Sequence, residues 1–506
     1  MKNLANKNIL VLGLGASGLA LARWCVRNGA QVTVADTRAA PPQLQALRDS
    51  LPSVTFVHSP MDEALFASAA FDMVLKSPGL SPASVAALID AAAARGTARG
   101  NELSLFAQAL ADLKEERAYA PQVIGITGTN GKTTVTSLTG QLIARAGKSV
   151  AVAGNIGPTL LDTLTQQLDA PVLPEVWVLE LSSFQLDSVS GFEPTVATVL
   201  NITQDHLDWH ETFAAYMAAK ARVYGSTGLM LLNRDDPLVM AALPSVLPTT
   251  KAKQAARREY QTFGSDMPQR PGDYGIENVN GMTWLVRAAV ADETVKPRKN
   301  EEVVLYIQRL MPMDALRIRG LHNATNALAA LALAVAAGCN LAPMLHGLRE
   351  YRGEPHRVES VAVIRDIEYF DDSKGTNVGA TVAALAGLGA GRKLVVILGG
   401  EGKSQDFSPL ADAVSRYARA VVLIGRDAAL VKAAIKAVVE ASGVPLFDAG
   451  SMQEAVDIAA QQARTGDAVL MSPACASFDM FDNYEHRAQV FREAVQALAH
   501  DAGVLV

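Results

Sequence analysis

The chain has 506 residues, 49% of them apolar and 19% charged, and a net charge of −6. That composition is enough for several hydrophobic cores and excludes a disordered chain. No Lys/Arg block stands out, which argues against a duplex nucleic-acid partner but leaves acidic small molecules open, since an acidic protein can hold a basic pocket.

Strands and helices alternate from the start. NILVLG (8–13) reads as a buried strand, Gly13-x-Gly15-x-x-Gly18 as a phosphate turn opening a helix, and QVTVAD (31–36) as a second strand ending at Asp36. This spacing is the usual dinucleotide fingerprint. On these residues alone, NAD and some other pyrophosphate both remain possible owners of the turn. Lys2, Lys7 and the apolar run imitate a signal peptide, but three glycines interrupt the run. The three cysteines, Cys25, Cys339 and Cys475, lie far apart and suggest neither disulfides nor a paired-cysteine metal site. A cytoplasmic protein is therefore expected. SVTFVH (53–58) and MVLKSPG (73–79) extend the parallel sheet, and ALADLKEER (109–117) with Pro121 marks a joint.

A second α/β unit begins at QVIGITGTNGKTT (122–134) and continues through VWVLEL (176–181), TVATVLNIT (195–203) and a strand and turn in YGSTGLMLLNRDD (224–236). From 245 to 317 the pattern changes. KAKQAARREY (251–260) is charged, PQRPGDYG is turn-rich, and MTWLVRAAV (282–290) and EEVVLYIQ (301–308) read as antiparallel strands elaborating the edge of this unit, away from catalysis. RGLHNATNALAALALAVAAG (319–338) reads as a buried helix, and its apolar run ALAALALAVAAGC from Ala327 is too short and Ala-rich to span a membrane. After the turn YRGEPHRVE (351–359), the strands EYFDDS, KLVVILGG, AVVLIG and AVLMSP form a third unit. The fold expected is α/β in three domains. Residues 1–112 should be Rossmann-like. Residues 113–351 should hold a P-loop ATPase-type parallel sheet with an extra antiparallel edge, and 352–506 should be a doubly wound Rossmann-like domain. Ligands in such sheets sit beyond the carboxyl ends of the strands.

GITGTNGKTT (125–134) carries the sharpest local chemistry. Gly128 and Gly131 let the backbone, including Thr129 and Asn130, curl its N–H groups toward phosphate, and the following helix N-terminus adds partial positive charge. Lys132 can reach β- and γ-phosphates, and the Thr133 hydroxyl, with Thr134 beside it, can face Mg²⁺. Ile126 stands where the common Walker pattern has glycine. Glu180 ends the strand VWVL, so its carboxylate can sit near this loop and offer oxygen to Mg²⁺. His206 follows TVATVLNIT at a strand–helix junction, where a capping role is equally open, and His210 reads as structural. Lys220 in YMAAKARVY reads as an ordinary solvated helix lysine.

TGTNGKTT, GNIG (154–157), LELSSFQL (179–186), NITQDHLDWH (201–210), Lys220, LHNATNALAA (321–330), HRVE (356–359) and DDSKGTN (371–377) occur in one order, and the chain resembles the Mur ligase family over its whole length. DDSKGTN, GGEGKSQDF (399–407) and SPACASFDMFDNYEHR (472–487) resemble the member that adds D-glutamate. The resemblance implies a cytoplasmic, monomeric, ATP-dependent ligase of peptidoglycan precursor synthesis, hence of cell division and cell shape, with no membrane partner. It would join D-glutamate to UDP-N-acetylmuramoyl-L-alanine through an acyl phosphate. It places the UDP group, not NAD, at the first turn, on Gly15, Ala16 and Ser17, with Asp36, Thr37, Arg38, Ser77, Pro78, Gly79 and Asn155. It places ATP on residues 128–134 with Asn323, Asn326, Arg357 and Asp372. Catalysis and two Mg²⁺ sites fall to Lys132, Thr133, Glu180, His206 and a CO₂-derived carbamate on Lys220. D-glutamate falls to Lys374, Thr376, Lys403, Ser477, Phe478 and Tyr484. Asn323 and Asn326, three apart on a helix, share a face. Asp371 and Asp372, neighbours on a strand, point apart and do not form a catalytic pair. Departures from the family pattern are mild: Gly375 for a common alanine, Tyr484 for a frequent phenylalanine, and the small pair Ala16-Ser17. An NAD-dependent oxidoreductase, another Mur or folylpolyglutamate-type ligase, and a non-catalytic nucleotide-binding protein are the alternatives.

Overall fold

The computed structural model describes residues 4–243, 258–291 and 304–504. The charged stretch 251–257 and the start of the strand expected at 301 lie outside the described residues. Three parallel or nearly parallel sheets follow one another along the chain. The first is fully parallel, with spatial order Thr55–His58, Gln31–Asp36, Asn8–Leu12, Met73–Lys76, Ala98–Gly100. Its strands run outward in both directions from Asn8–Leu12. The crevice at which the order reverses therefore lies between the ends of Asn8–Leu12 and Met73–Lys76. Gly13 and Ser77 meet there, and Ser77 Oγ donates to Gly13 O at 2.9 Å. A Cβ on Gly18 would lie 1.9 Å from the same Gly13 oxygen, so only glycine lets this helix pack so close to the strand.

The central sheet has six parallel strands in the order Tyr260–Phe263, Leu229–Asn233, Val196–Val199, Gln122–Thr127, Val176–Glu180, Val150–Gly154. Gln122–Thr127 is in the middle, so the loop at its end is flanked by the ends of the strands that carry Glu180 and Asn201. The antiparallel strands expected as an edge form a separate three-stranded sheet, Tyr274–Val279, Met282–Val290 and Leu305–Pro312. Its Tyr274, Ile276, Leu285 and Met311 pack into one core with the helix Leu321–Ala336. That helix is buried along most of its length, as its unbroken run of Ala and Leu requires.

The third sheet runs Glu359–Ile364, Ile367–Asp371, Ala468–Met471, Leu394–Gly399, Ala418–Ile424, Leu446–Asp448. All neighbours are parallel except the first pair, so the doubly wound sheet carries an antiparallel edge strand. The ends of Ile367–Asp371, Ala468–Met471 and Leu394–Gly399 are adjacent, which gathers the loops carrying Lys374, Ser477 and Lys403.

The units are joined by packing as well as by chain. The helix Glu102–Arg117 runs unbroken across 112/113 and lays Phe106 edge-on against Trp177 of the central unit, centroids 5.1 Å apart. Asn101 Nδ2 donates to Gln185 O at 3.0 Å, and the Ser104 hydroxyl accepts from Ser190 N at 3.0 Å. Between the central and third units, the His322 ring packs against Gly320 and Gly387, where a Cβ on Gly387 would lie 2.5 Å from Nδ1. No described helix is long and apolar enough to cross a membrane.

Burial lowers the pKa of both His210 and His322 to about 4, so both are neutral near pH 7. The unfolded chain binds these protons near pH 6.5 and the folded chain only near 4. The unfolded state thus holds more protons in between, and stability rises with pH across that interval. Acidification from pH 6.5 to 4 should therefore remove up to about 3 kcal/mol at His322, and less at His210, which is less deeply desolvated. Denaturant midpoints measured across this range should fall with acid and fall less in His322→Gln. An identical pH slope in that variant would contradict the assignment.

Candidate active site

The phosphate loop leaves its strand with Gly128 at φ 157° and Gly131 at φ 82°, and the helix Lys132–Arg145 begins with no side-chain cap on its first N–H groups. Those donors are left for a ligand. Asn201 fixes the loop from the next strand end: its Oδ1 accepts from Asn130 N at 2.8 Å and its Nδ2 donates to Asn130 O at 3.0 Å. The Thr129 hydroxyl lies 2.9 Å from Tyr216 OH and accepts from Thr203 N at 3.0 Å.

Two lysines converge on one oxygen of this loop. Lys132 Nζ donates to Gly128 O at 2.8 Å and to Thr129 O at 2.9 Å, and Lys220 Nζ donates to Gly128 O at 2.8 Å. Lys220 is 2% exposed, which reverses its sequence reading as a solvated surface lysine. Helical periodicity gave no sign of this, because the covering groups, Gly128 and the loop, are some ninety residues away. Burial, then repulsion from Lys132, holds the Lys220 amine well below the ordinary lysine range. Burial also lowers Lys132, with Glu180 acting against it.

Glu180 is buried at the end of its strand. Oε1 accepts from Asn155 Nδ2 at 3.0 Å, and Oε2 is buried without a partner. Asn155, expected on the UDP-linked substrate, is thus tied to the central acid. His206 has φ 54° and starts the helix Leu207–His210, with its ring 4.8 Å from Phe184. Burial, aided by Lys132 and Lys220 and opposed by Asp205, lowers its pKa and favours the neutral imidazole. His210 bonds Ser183 Oγ at 2.9 Å and is structural.

The third unit reaches into the same place. Arg357 Nη2 donates to Thr133 Oγ1 at 2.5 Å. Asn377 and Asn130 exchange amide hydrogen bonds at 3.1 and 3.2 Å. Asn130, Gly131, Thr134, Asn323, Asn326, Arg357, Asp372 and Lys374 line one cleft, together with Phe263 and His322, which sequence reasoning did not single out. Asp372 accepts from Ser472 Oγ at 2.6 Å, and burial raises it to about 7 against that bond and Arg357. A Cβ on Gly375 would come within 2.6 Å of its Oδ2. Asp371 instead bonds His356 Nδ1 at 2.7 Å and Ser373, so the two aspartates serve different partners. His356, Glu359 and Asp371 form a cluster with metal-like spacing, but Arg492 pairs with both acids and already supplies the positive charge there.

The residues expected on D-glutamate are grouped but unequal. Lys374 Nζ lies 4.9 Å from the Tyr484 ring centre, and burial and Arg357 lower its pKa. Ser477 is buried, and its loop is paired with Glu401 two residues before Lys403 through Glu401 N to Ala476 O at 3.0 Å. Buried Arg487, not singled out in the sequence, donates to Ser373 O at 2.7 Å and Cys475 O at 3.1 Å and so ties the Lys374–Thr376 loop to the Ser477 loop. Lys403 is exposed, and Phe478 is 67% exposed and stands apart.

At the first turn, Gly15 caps the helix Ala16–Arg27 without a side chain, leaving the Ala16 and Ser17 N–H end open to an anion. Asp36 is fully engaged by the protein: Oδ2 accepts from Leu14 N at 2.7 Å and Arg38 Nη2 at 2.8 Å, and Oδ1 from Arg38 N and Nε, both at 2.9 Å. Burial would raise its pKa, but these bonds outweigh it and leave about 2. A ribose 2′-hydroxyl has no free oxygen to find there, which argues against the dinucleotide reading.

Comparison with known proteins agrees with this layout. Family models described as "Mur ligase MurD-like, N-terminal domain", "Mur ligase middle domain" and "Mur ligase, glutamate ligase domain" match residues 7–98, 126–334 and 356–475. The chain is 65% identical over 503 residues to the UDP-N-acetylmuramoylalanine–D-glutamate ligase of Albidiferax ferrireducens, covering 99% of this chain and 98% of that one. It is 55% identical to the ligase of the same name from Ralstonia nicotianae, covering 100% and 99%. The solved MurF ligase of Thermotoga maritima in complex with ADP shares the fold, with a TM-score of 0.55 at 15% identity over 99% of this chain and 97% of that one. The chain belongs to the Mur ligase family.

Proposed function

We propose that this protein catalyses the ATP-dependent ligation of D-glutamate to UDP-N-acetylmuramoyl-L-alanine, in peptidoglycan precursor synthesis. The observation that carries the reading is the full-length, 65% identity to a ligase of that name, in a chain whose phosphate loop and third-unit strand ends meet in one cleft. The substrate carboxylate attacks the γ-phosphorus of ATP and ADP leaves. The amine of D-glutamate then attacks the acyl carbon, and phosphate departs from the tetrahedral intermediate as the amide forms.

The reaction brings a carboxylate up to a triphosphate, so like charges must be screened. Lys132 and Arg357 are assigned that role, Arg357 from the third unit, where it touches Thr133. The unpartnered buried oxygen of Glu180, the Thr133 hydroxyl and neutral His206 fit divalent cations, and these residues with Lys220 would hold two Mg²⁺. Bound there, Mg²⁺ would neutralise phosphate charge. The depressed Lys220 amine supports a carbamate: a neutral amine adds to CO₂ and releases a proton, turning a cation into an oxygen donor. Asn323, Asn326 and Asp372 are assigned to ATP. Lys374, Thr376, Lys403, Ser477, Phe478 and Tyr484 are assigned to D-glutamate, and the Gly15–Ser17 turn with Thr37, Arg38 and Ser77–Gly79 to UDP, Asp36 acting there through the Arg38 side chain that it holds. Asn155, bonded to Glu180, is assigned to the distal part of the same substrate. The domains serving these roles are 1–112, 113–351 and 352–506, in a cytoplasmic monomer. Contact of the third unit with the loop keeps water from the acyl phosphate.

ADP release with UDP-N-acetylmuramoyl-L-alanine should depend on D-glutamate and not on L-alanine, L-lysine or glycine, and NADH should produce no thermal shift. Turnover with a different amino acid, or saturable NADH binding, would replace this reading. Lys220→Ala should lose about 10²-fold or more in kcat, with partial recovery in acetate or formate. An unaffected rate would remove the carbamate role.

A further inference from the structure

Lys76 ends the strand Met73–Lys76 and is only 6% exposed. Its ammonium donates to Leu80 O at 3.0 Å and lies 4.8 Å from the centre of the Trp209 ring. Among the described residues no carboxylate forms an ion pair with it. Asp187, whose charge acts on it from farther away, is paired with Arg222. A buried cation with one carbonyl and one ring is poorly compensated. Packing on Trp209 alone would be served as well by Met or Leu. The Trp209 indole N–H is also buried without an acceptor, so beside a Lys76 ammonium that has a carbonyl but no anionic partner stands a donor with no partner at all.

The position of Lys76 indicates where that oxygen comes from. The next residue, Ser77, closes the Gly13 turn of the first unit. Trp209 lies three residues after His206, and Phe184 joins the two rings, 4.6 Å from Trp209 and 4.8 Å from His206. A UDP-linked acid with its diphosphate at Gly15 and its carboxylate at the phosphate loop must pass between these points. Resting on the function proposed above, we propose that Lys76 binds this substrate, its ammonium turning from Leu80 O to an oxygen of the UDP-linked acid where it crosses from the first unit to His206. Lys76 thereby carries part of the recognition of the acid substrate and none of ATP or D-glutamate.

Calorimetric titration of UDP-N-acetylmuramoyl-L-alanine into the full chain tests this with or without turnover. Affinity should fall about tenfold or more in Lys76→Met and Lys76→Gln and by less than about threefold in Lys76→Arg, which keeps the charge. In the ADP-release assay the KM for the UDP-linked acid should rise in parallel, with the KM for ATP and D-glutamate within about twofold of wild type. Unchanged affinity in both neutral variants overturns the proposal, whether or not the wild type turns over D-glutamate. A parallel rise of all three KM values also overturns it, because that marks a structural role. Loss of D-glutamate-dependent turnover with the affinity pattern intact would overturn the ligase reading alone. Circular dichroism identifies a variant that has not folded, and the gentler Lys76→Gln then carries the test.

Discussion

The site is organised around the carbonyl oxygen of Gly128. That oxygen accepts from two lysine side chains, Lys132 from the next residues and Lys220 from a helix far along the chain, and the residue itself sits at φ 157°. A Cβ at this position would press within 2.9 Å of Leu200 Cβ, so the turn depends on glycine. Burial pushes both amines toward the neutral form, with repulsion from Lys132 adding to it at Lys220 and repulsion from Arg357 adding to it at Lys132. With Arg357 on Thr133 and Lys374 nearby, basic groups from two units converge on the cleft. Such an arrangement suits ligands that bring several negative charges, as a nucleotide triphosphate does.

The sheets decide which groups meet there. In each unit the chemically useful residues follow the ends of adjacent parallel strands, where loops are free to vary and helix N-termini point at the ligand. The central sheet sets Glu180 and Asn201 on either side of the phosphate loop. The third sheet aligns the loops of Lys374, Ser477 and Lys403, and Arg487 ties two of them together from below. The exchanged amides of Asn130 and Asn377 and the His322 ring between two glycines hold the third unit against the second.

Much of the fold was legible because it follows from local pattern. The buried strands NILVLG, VWVLEL and KLVVILGG and the Ala-rich helix 321–336 declare themselves by runs of apolar residues. Short edge strands such as Ala98–Gly100, Glu359–Ile364 and Leu446–Asp448 did not, since edge positions tolerate polar residues and carry little periodic signal. The antiparallel strands after 270 were legible as strands but not as a separate sheet, because pairing is decided by partners and not by composition.

For the site, residue types and spacing by themselves determined what chemistry is on offer: glycine-bounded turns between strand and helix cradle phosphate because backbone geometry is local. Only the tertiary structure decided which side chains are available and in what charge state. Asp36 looks like a ribose acceptor in sequence, yet Leu14 and Arg38 have taken its oxygens. Lys220 looks solvated, yet it is dry beneath the phosphate loop, and Lys76, to which the sequence drew no notice, is buried against an indole from another unit. Burial and partnership come from residues distant in the chain, and pKa and hydrogen-bonding capacity follow from them.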